Sequence, residues 1–260
     1  MRNSDLSVST RRQNIVRLLK SSGRLTVKEI SEAFGTSEIT IRRDLEYLDS
    51  QNMVDRSRGS VTLRRGLFED SPAFFDDKSI LFTAEKERIA RTAAARIQEG
   101  DVIFVNAGTT VLYLPKYITV PNVRLITNNA CMATAEGQQN VELFITGGER
   151  YPKTQSLVGD MALYSLSRIN ANKCILSVNG ISAEHGVTSA FYMETSLNYN
   201  MLKRCSGERI VIADSSKIGR VFSFVSASID LVDTLITDAA ADSSELNKLE
   251  KAGVNVIIAE

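Results

Sequence analysis

The chain is short of the residues that most catalytic and metal sites need. His185 is its only histidine, and its three cysteines, Cys131, Cys174 and Cys205, are odd in number and far apart. That pattern gives neither a disulfide framework nor a zinc-ligand spacing. It fits reduced, mostly buried thiols in a cytoplasm. His185 lies in the turn-like stretch Ala183-Glu184-His185-Gly186, without partners for a triad, so no metal and no cofactor are expected. Long apolar runs are missing as well: none is able to span a bilayer. Met1-Arg2-Asn3-Ser4-Asp5 has no apolar signal-peptide core. The expectation is therefore a cytoplasmic protein with no membrane partner. What is present is 43% apolar residues, enough for one large domain or a small one plus a medium one.

Net charge is also absent, which at first argues against nucleic acid. The sum hides a division. Residues 1–65 carry 13 Lys/Arg against 8 Asp/Glu, a surplus of five positive charges, and the rest of the chain carries the matching negative surplus. A basic head on an acidic body points to a polyanion partner for the head alone.

The head reads as helix, capped helix, turn, capped helix and hairpin. Thr10 to Ser21 is a first helix with Ile15, Leu18 and Leu19 inward, ended by Gly23. Thr26-Val27-Lys28-Glu29 is a capping box that opens a second helix through Ala33. Phe34-Gly35-Thr36 is a turn of helix-turn-helix length. A helix capped by Ser37 follows to Asp49, with Ile41, Leu45 and Leu48 on its buried face. Ile39, Thr40 and Arg43 fall on or near the opposite side, with Arg42 on a flank. Met53–Arg56 and Ser60–Leu63, joined through Ser57-Arg58-Gly59, make a β-hairpin wing.

A helical protein-interaction module is the competing reading of this head. The arginine pair beside a capped first turn, together with the basic wing, favours double-stranded DNA. Arg42 and Arg43 are candidates for base or phosphate contacts, and Ser37 and Thr40 for short contacts near the helix start. Arg56 and Arg58 are placed to grip phosphate in an adjacent groove. Ile39 either touches a thymine methyl or packs under the wing.

A connector without a single period follows, so the expected division is 1–65, 66–83 and 84–260. After a helix from Ala84 to Gln98, short apolar runs alternate with helical ones. Strands are expected at Val102–Val105, Arg124–Thr127, Glu142–Thr146, Cys174–Val178, Arg209–Ala213, Thr234–Ile236 and Asn255–Ile258. Helical segments lie between several of them, at Ala130–Glu136, Leu157–Ile169, Ser196–Cys205 and Ser244–Ala252. The fold class is α/β: a small winged helix-turn-helix domain, then a larger effector domain with a mostly parallel sheet covered on both faces.

Ligands of such sheets sit at the C-terminal ends of the strands. Those ends collect Asn106-Ala107-Gly108-Thr109-Thr110 before an expected helix, then Asn128-Asn129, and Gly147-Gly148 with Arg150 and Lys153 beyond. Asp214-Ser215-Ser216-Lys217 completes the rim. Small residues let backbone N–H groups approach an anion, and the hydroxyls, amides and lysine add donors. Taken singly, each piece is ordinary loop chemistry. Sharing one rim, they suit a phosphorylated sugar.

The chain resembles the DeoR family of bacterial transcription regulators. In the head the matching residues are Arg12-Gln13-Asn14-Ile15, Leu25-Thr26-Val27 and Thr40-Ile41-Arg42-Arg43-Asp44-Leu45. In the body they are Asn106-Ala107-Gly108-Thr109-Thr110, Thr127-Asn128, Gly147-Gly148, Asn179-Gly180-Ile181 and Asp214-Ser215-Ser216-Lys217. The resemblance implies an effector domain similar in fold to ribose-5-phosphate isomerase, sensing phosphorylated intermediates of sugar or polyol catabolism that release a repressor from its operator. It implies that Gly108, Thr109 and Thr110 hold a phosphate, with Lys217 and Asn128 helping to hold the ligand. The wing departs mildly from the family pattern, with Ser57-Arg58-Gly59 where a histidine and two glycines are often found, and the body departs at three positions: Asn106 stands where an aspartate is usual, Ser177 where a glycine is common, and Asn198 where a lysine is common.

The competing class is a sugar-phosphate isomerase carrying a DNA-binding head. Isomerisation through an enediol needs a carboxylate base on the substrate carbon. Ser177-Val178-Asn179-Gly180-Ile181-Ser182 lacks the acidic cluster such isomerases carry, which leaves only Glu194 and Asp214 as possible bases. The expectation is a sensor with no catalytic residues, Glu194 being counted among the effector-binding positions. Since helix-turn-helix proteins pair two recognition helices with two half-sites, a homo-oligomer, dimer or tetramer, is expected.

Overall fold

A computed structural model describes residues 11–63, apart from positions 13, 17, 20, 21, 51–53 and 58, together with residues 82–260. The chain divides into two compact units, Met1–Phe82 and Thr83–Glu260. Arg58 and the connector positions 66–81 lie outside the described residues.

In the first unit the described positions from 11 to 19 are helical. Helix α1 (Val27–Phe34) opens on the expected capping box, with Glu29 N–H donating to Thr26 Oγ1 at 3.2 Å and Thr26 N–H to Glu29 Oε2 at 2.6 Å. Gly35 ends it in the left-handed region at φ 57°, where a side chain would be strained. Helix α2 (Glu38–Ser50) follows after the three residues Gly35, Thr36 and Ser37. Ile15, Val16, Leu19, Ile30, Ile41, Leu45 and Leu48 close one core with Val54 and Val61 of the wing. The wing has one strand more than the sequence suggested. β1 (Arg24–Leu25) pairs antiparallel with β3 (Ser60–Leu63), which also pairs with β2 (Val54–Ser57).

The second unit is built on seven parallel strands: β4 (Val102–Val105), β5 (Val123–Thr127), β6 (Val141–Ile145), β9 (Ala171–Ser177), β12 (Cys205–Ile212), β14 (Thr234–Asp238) and β15 (Asn255–Ala259). All seven expected strands lie in it. Their order is β15-β14-β12-β9-β4-β5-β6. After β4 the chain works outward through β5 and β6, then returns to the other side of β4 with β9. The crevice between the ends of β4 and β9 is thus the topological switch point, where doubly wound sheets hold their ligands. Alternate residues face opposite sides. Phe104, Cys174, Leu176, Val211 and Leu235 pack in one layer, and Ile103, Val105, Ile175, Ile210, Ile212 and Ile236 in the other.

Helix α3 (Thr83–Ala94) covers the second layer through Ile89, Ala90 and Ala93. It stops short of Gln98 because its last turn tightens to i→i−3 bonds, Arg96 N–H to Ala93 and Ile97 N–H to Ala94. Helices α4 (Asp160–Ser167) and α5 (Tyr192–Arg204) cover the first layer, and α6 (Ser243–Lys251) adds Leu249. The segment expected as one helix from Leu157 to Ile169 is two elements. Leu157 and Val158 belong to β8 (Ser156–Val158), which pairs antiparallel with β7 (Glu149–Tyr151), and α4 begins only after Gly159 at φ 86°. Leu157 and Val158 are apolar enough for either assignment, and only the partner strand decides between them. Ala130–Thr134 is a 3₁₀ turn rather than a helix to Glu136. The remaining small sheet, β10 (Gly180–Ser182), β11 (Gly186–Ser189) and β13 (Phe224–Ala227), was not expected.

Candidate nucleic-acid interface and ligand site

On α2 the cap forms as expected. Ser37 Oγ accepts the N–H of Thr40 at 3.2 Å and shares a hydrogen bond with the Thr40 hydroxyl at 2.9 Å. Arg42 and Arg43 are exposed. Arg42 reaches back to Glu38 Oε2 at 3.3 Å, an i,i+4 pair that positions rather than immobilises it. Ile39 is 66% exposed, so it does not pack under the wing. It is an isoleucine left in water on the second residue of a capped helix, between a hydroxyl pair and two arginines. Arg56 projects from β2, 4.0 Å from Glu46.

Asp44 had no role in the sequence reading beyond its place in the family signature. It is 1% exposed and accepts from Arg11 Nε at 2.6 Å and Arg12 Nε at 2.8 Å. Arg12 also stacks 3.8 Å over the Tyr47 ring. Two of the basic residues that give the head its charge therefore clamp the recognition helix to the first helix.

At the switch point the three departures from the family pattern meet. Asn106 is buried behind β4, and its Nδ2 donates to the Ser177 carbonyl at 2.8 Å and to Asn198 Oδ1, on α5, at 2.9 Å. Its Oδ1 accepts the N–H of Ser177 at 2.9 Å. Asn106 thus spends its amide joining β4, β9 and α5. Two residues on, a Cβ built on Gly108 would lie 2.6 Å from Ser177 Cβ. Gly108→Ala is expected to destabilise the second unit by about 1–3 kcal/mol through overpacking. Adding Ser177→Gly removes the clashing atoms and is expected to restore the midpoint of urea unfolding.

Thr109 and Thr110 are nearly buried, and the Thr110 hydroxyl makes no capping bond to the turn behind it. That turn corrects an expectation. Only a 3₁₀ turn (Val111–Tyr113) and a four-residue helix (Leu114–Tyr117) follow, too short for a macrodipole to hold an anion. Charge at the rim has to come from side chains. Asn129 Nδ2 holds the loop by donating to the Gly108 carbonyl at 3.1 Å. Asn128, 1% exposed, donates from Nδ2 to the Leu157 carbonyl, which fixes the amide orientation. Its buried Oδ1 has no hydrogen-bond partner among the described residues. A buried acceptor left open is costly unless a ligand donates to it.

Lys217 lies beyond β12 with its side chain 14% exposed; its Nζ is 2.8 Å from Ser216 Oγ and 3.8 Å from Asp214 Oδ2. Burial pushes the Asp214 carboxyl up, but Lys217, Lys86 and hydrogen bonds from Ser216 outweigh it and hold it below the usual range. Lys86 was missed. It occupies the first turn of α3, 3% exposed, and burial drives its ammonium down to about 7, against the attraction of Asp214. The signal was present in the sequence, since Lys86 falls on the same inward stripe as Ile89, Ala90 and Ala93.

The other candidates are dispersed. Gly147 and Gly148 turn the chain at φ 70° and 114°, and a Cβ on Gly148 would meet the Val158 carbonyl at 2.5 Å. Asn179 Oδ1 accepts from Ser189 Oγ at 3.0 Å and the Ala190 N–H at 3.2 Å, a tie across the β10–β11 hairpin. Glu194 is buried in the first turn of α5. Arg150 is exposed and bonded to Gln155, and His185 is exposed in the β10–β11 turn. Among the described residues no three His, Cys, Asp or Glu gather as a metal site, and no helix is long and apolar enough to cross a membrane.

Residues 82–239 match the DeoR C-terminal sensor domain, and residues 11–65 match the DeoR-like helix-turn-helix domain. The chain belongs to the DeoR family. It is a DNA-binding transcription regulator. Similar relatives span it nearly end to end. One is an uncharacterized HTH-type transcriptional regulator, YulB, of Bacillus subtilis, 34% identical over 96% of both chains. Another is the glycerol-3-phosphate regulon repressor of Escherichia coli, 30% identical over 92% of this chain and 95% of its own. Among solved structures, ribose 5-phosphate isomerase A of Methanocaldococcus jannaschii superposes with a TM-score of 0.37 and 13% identity, over 51% of this chain and 52% of that one. A likeness at that level bears on neither ligand nor chemistry in this DeoR-family chain.

Proposed function

We propose that this regulator is a cytoplasmic repressor of a sugar or polyol catabolic operon, released from its operator by a phosphorylated sugar. In this reading the ligand sits at the switch point. Gly108, Thr109 and Thr110 receive its phosphate, Lys217 supplies charge, and Asn128 accepts from a sugar hydroxyl. The observation that carries the reading is the open Asn128 Oδ1, buried one residue beyond β5 on the same sheet edge as the Gly108–Thr110 loop. The name of the Escherichia coli relative, a glycerol-3-phosphate regulon repressor, agrees with a small phosphorylated polyol or sugar.

Asn106, Ser177 and Asn198 form a neutral hydrogen-bonded set where the family pattern has aspartate, glycine and lysine. The effector accordingly differs in charge or hydroxyl pattern from ligands read by an ion pair there. Equal affinity of wild type and Asn106→Asp for every sugar phosphate tried would count against this.

Catalysis is not part of the proposal. Asp214 is engaged by Ser216 and Lys217, and a general base must be open to the proton it removes. The head is proposed to act within a dimer or tetramer on a two-fold operator. Release requires that the ligand bind the DNA-free state more tightly than the DNA-bound one.

The test is binding to DNA from the chain's own promoter region across a salt series, with and without a panel of sugar and polyol phosphates. Specific, salt-weakened binding reversed by one phosphorylated compound is expected. No specific binding at any salt would overturn the reading. In the same assay Arg43→Ala is expected to lose about 1–3 kcal/mol of discrimination at one base pair. Arg56→Ala should instead weaken all sequences alike and flatten the salt slope by about one unit. The opposite pattern would reverse the two roles.

A further inference from the structure

We infer that Arg24, Ser57 and Ser60 form a phosphodiester-binding site on the wing, which makes Arg24 a DNA-contact residue from a strand outside the candidate set. The inference rests on the DNA binding of the head and on the wing reaching the duplex. It is independent of the ligand reading of the second unit.

The register of the wing sorts its residues onto two faces. Arg24 lies opposite Thr62, Thr62 opposite Asp55, and Ser60 opposite Ser57, so these five share one face. The other face carries Leu25, Val54, Val61 and Leu63, which close on the core of the unit, with Arg56 at its rim. Gly23 brings Arg24 to this place: at φ 72° it turns the chain out of the first helix and straight into β1. β1 is only two residues long, too short for its alternation to be read along the chain.

Arg24 crosses its face toward the hairpin tip. Its Nε donates to Ser60 Oγ at 2.8 Å, and Ser60 Oγ shares a hydrogen bond with Ser57 Oγ at 2.8 Å. Ser60 is 8% exposed, so the guanidinium is anchored on a buried hydroxyl rather than trailing in solvent. That bond uses one of the five guanidinium N–H groups, and the others have no partner among the described residues. Whichever serine donates inside the pair, one hydroxyl hydrogen is left over as well. No carboxylate among the described residues pairs with Arg24, although Asp55 stands on the same face. Between the two serines Gly59 turns at φ 79°, and a Cβ built on it would meet nothing within 4 Å, so the tip is open.

An exposed arginine is ordinarily solvated, and by itself it marks nothing. Here an anchored cation, a spare hydroxyl hydrogen and an open glycine turn gather at one tip, on a domain that binds DNA. Spare donors around a single positive charge suit an anion with more than one acceptor oxygen. A phosphodiester of duplex DNA is such an anion, and a contact to it fixes the position of the wing without reading sequence. Arg24 and Arg56 stand on opposite faces of the wing, so they grip different phosphates rather than sharing one.

Binding of the full chain to its promoter duplex and to an unrelated duplex, each across a salt series, tests the site. Arg24→Gln is expected to weaken both complexes about tenfold at 0.1 M salt and to flatten the salt slope by about one unit. Combined with Arg56→Ala it should flatten the slope by about two units, and a loss of only one overturns the separate site. Arg24→Lys keeps the charge and is expected to restore the slope. Ser60→Ala removes the anchor without touching the charge and is expected to weaken both complexes about threefold. It carries the test if Arg24→Gln unfolds the head, and unchanged binding there overturns the inference. An arginine that merely ties β1 to β3 would lower the melting temperature and leave the salt slope as it was, which also overturns it. A loss confined to the promoter duplex would make Arg24 a base contact and remove the phosphodiester assignment. A slope that responds to Arg24→Gln but not to Arg56→Ala sinks only the role given to Arg56.

Discussion

Asn106→Asp is expected to lower the stability of the sensor unit by about 3 kcal/mol at pH 7, the usual cost of a buried charge without a partner. The side chain is 3% exposed, and its Nδ2 faces two acceptors, the Ser177 carbonyl and Asn198 Oδ1. Aspartate sets oxygen against oxygen at both contacts, and only the bond from the Ser177 N–H survives. Asn198→Lys in the same chain offers an ammonium to the new carboxylate. A double-mutant cycle is therefore expected to show a favourable coupling of about 2 kcal/mol. Burial raises the carboxyl of the single variant above its unfolded value. The penalty is absent below an unfolded pKa of about 4 and grows as pH rises from there toward the folded value. Urea unfolding at pH 7 and pH 5 separates these terms. An unchanged midpoint for Asn106→Asp at pH 7 would remove Asn106 from its position as the joint between β4, β9 and α5.

Asp44→Ala is expected to have the largest effect on the head, a loss of about 3–5 kcal/mol. The carboxylate is almost fully buried and holds two arginines, one of them stacked on Tyr47. Removing it leaves two guanidinium groups facing each other across the vacated position, each partly withdrawn from water. A small unit has little stability to lose, so specific DNA binding should disappear although no contact residue has been touched. Asp44→Asn keeps the shape and one acceptor oxygen and is expected to cost less. Full DNA affinity and an unchanged melting transition in Asp44→Ala would show that the clamp contributes nothing. The family signature Thr40-Ile41-Arg42-Arg43-Asp44-Leu45 is thus a composite: Arg42 and Arg43 point outward, and Asp44 holds the helix that carries them.

Much of the fold is local chemistry, and local chemistry is legible. The Thr26–Glu29 box, the Ser37 cap and the Gly35 turn are satisfied within a few residues of themselves. The seven parallel strands stand out because burial on both faces demands short apolar runs between helices. The antiparallel hairpins were harder to see. Leu157 and Val158 read as the start of a helix, and only pairing with Glu149 and Arg150, beyond the turn that joins the two strands, makes them β. β10, β11 and β13 are three or four residues each, too short for a period to declare itself.

The outward arginines of α2 and the glycine-threonine loop beyond β4 are legible from the residues alone, because caps, periodicity and small residues act over short separations. Tertiary structure alone decided what those parts face. Asn106, Ser177 and Asn198 are 71 and 21 residues apart along the chain, yet they meet because β9 returns to the side of β4 that β5 leaves open. Lys86 is brought down to about 7 only because folding buries it within reach of the charges of Asp214 and Lys217. Burial, and with it the charge state of a lysine or the worth of an amide, belongs to the packed chain rather than to any segment of it.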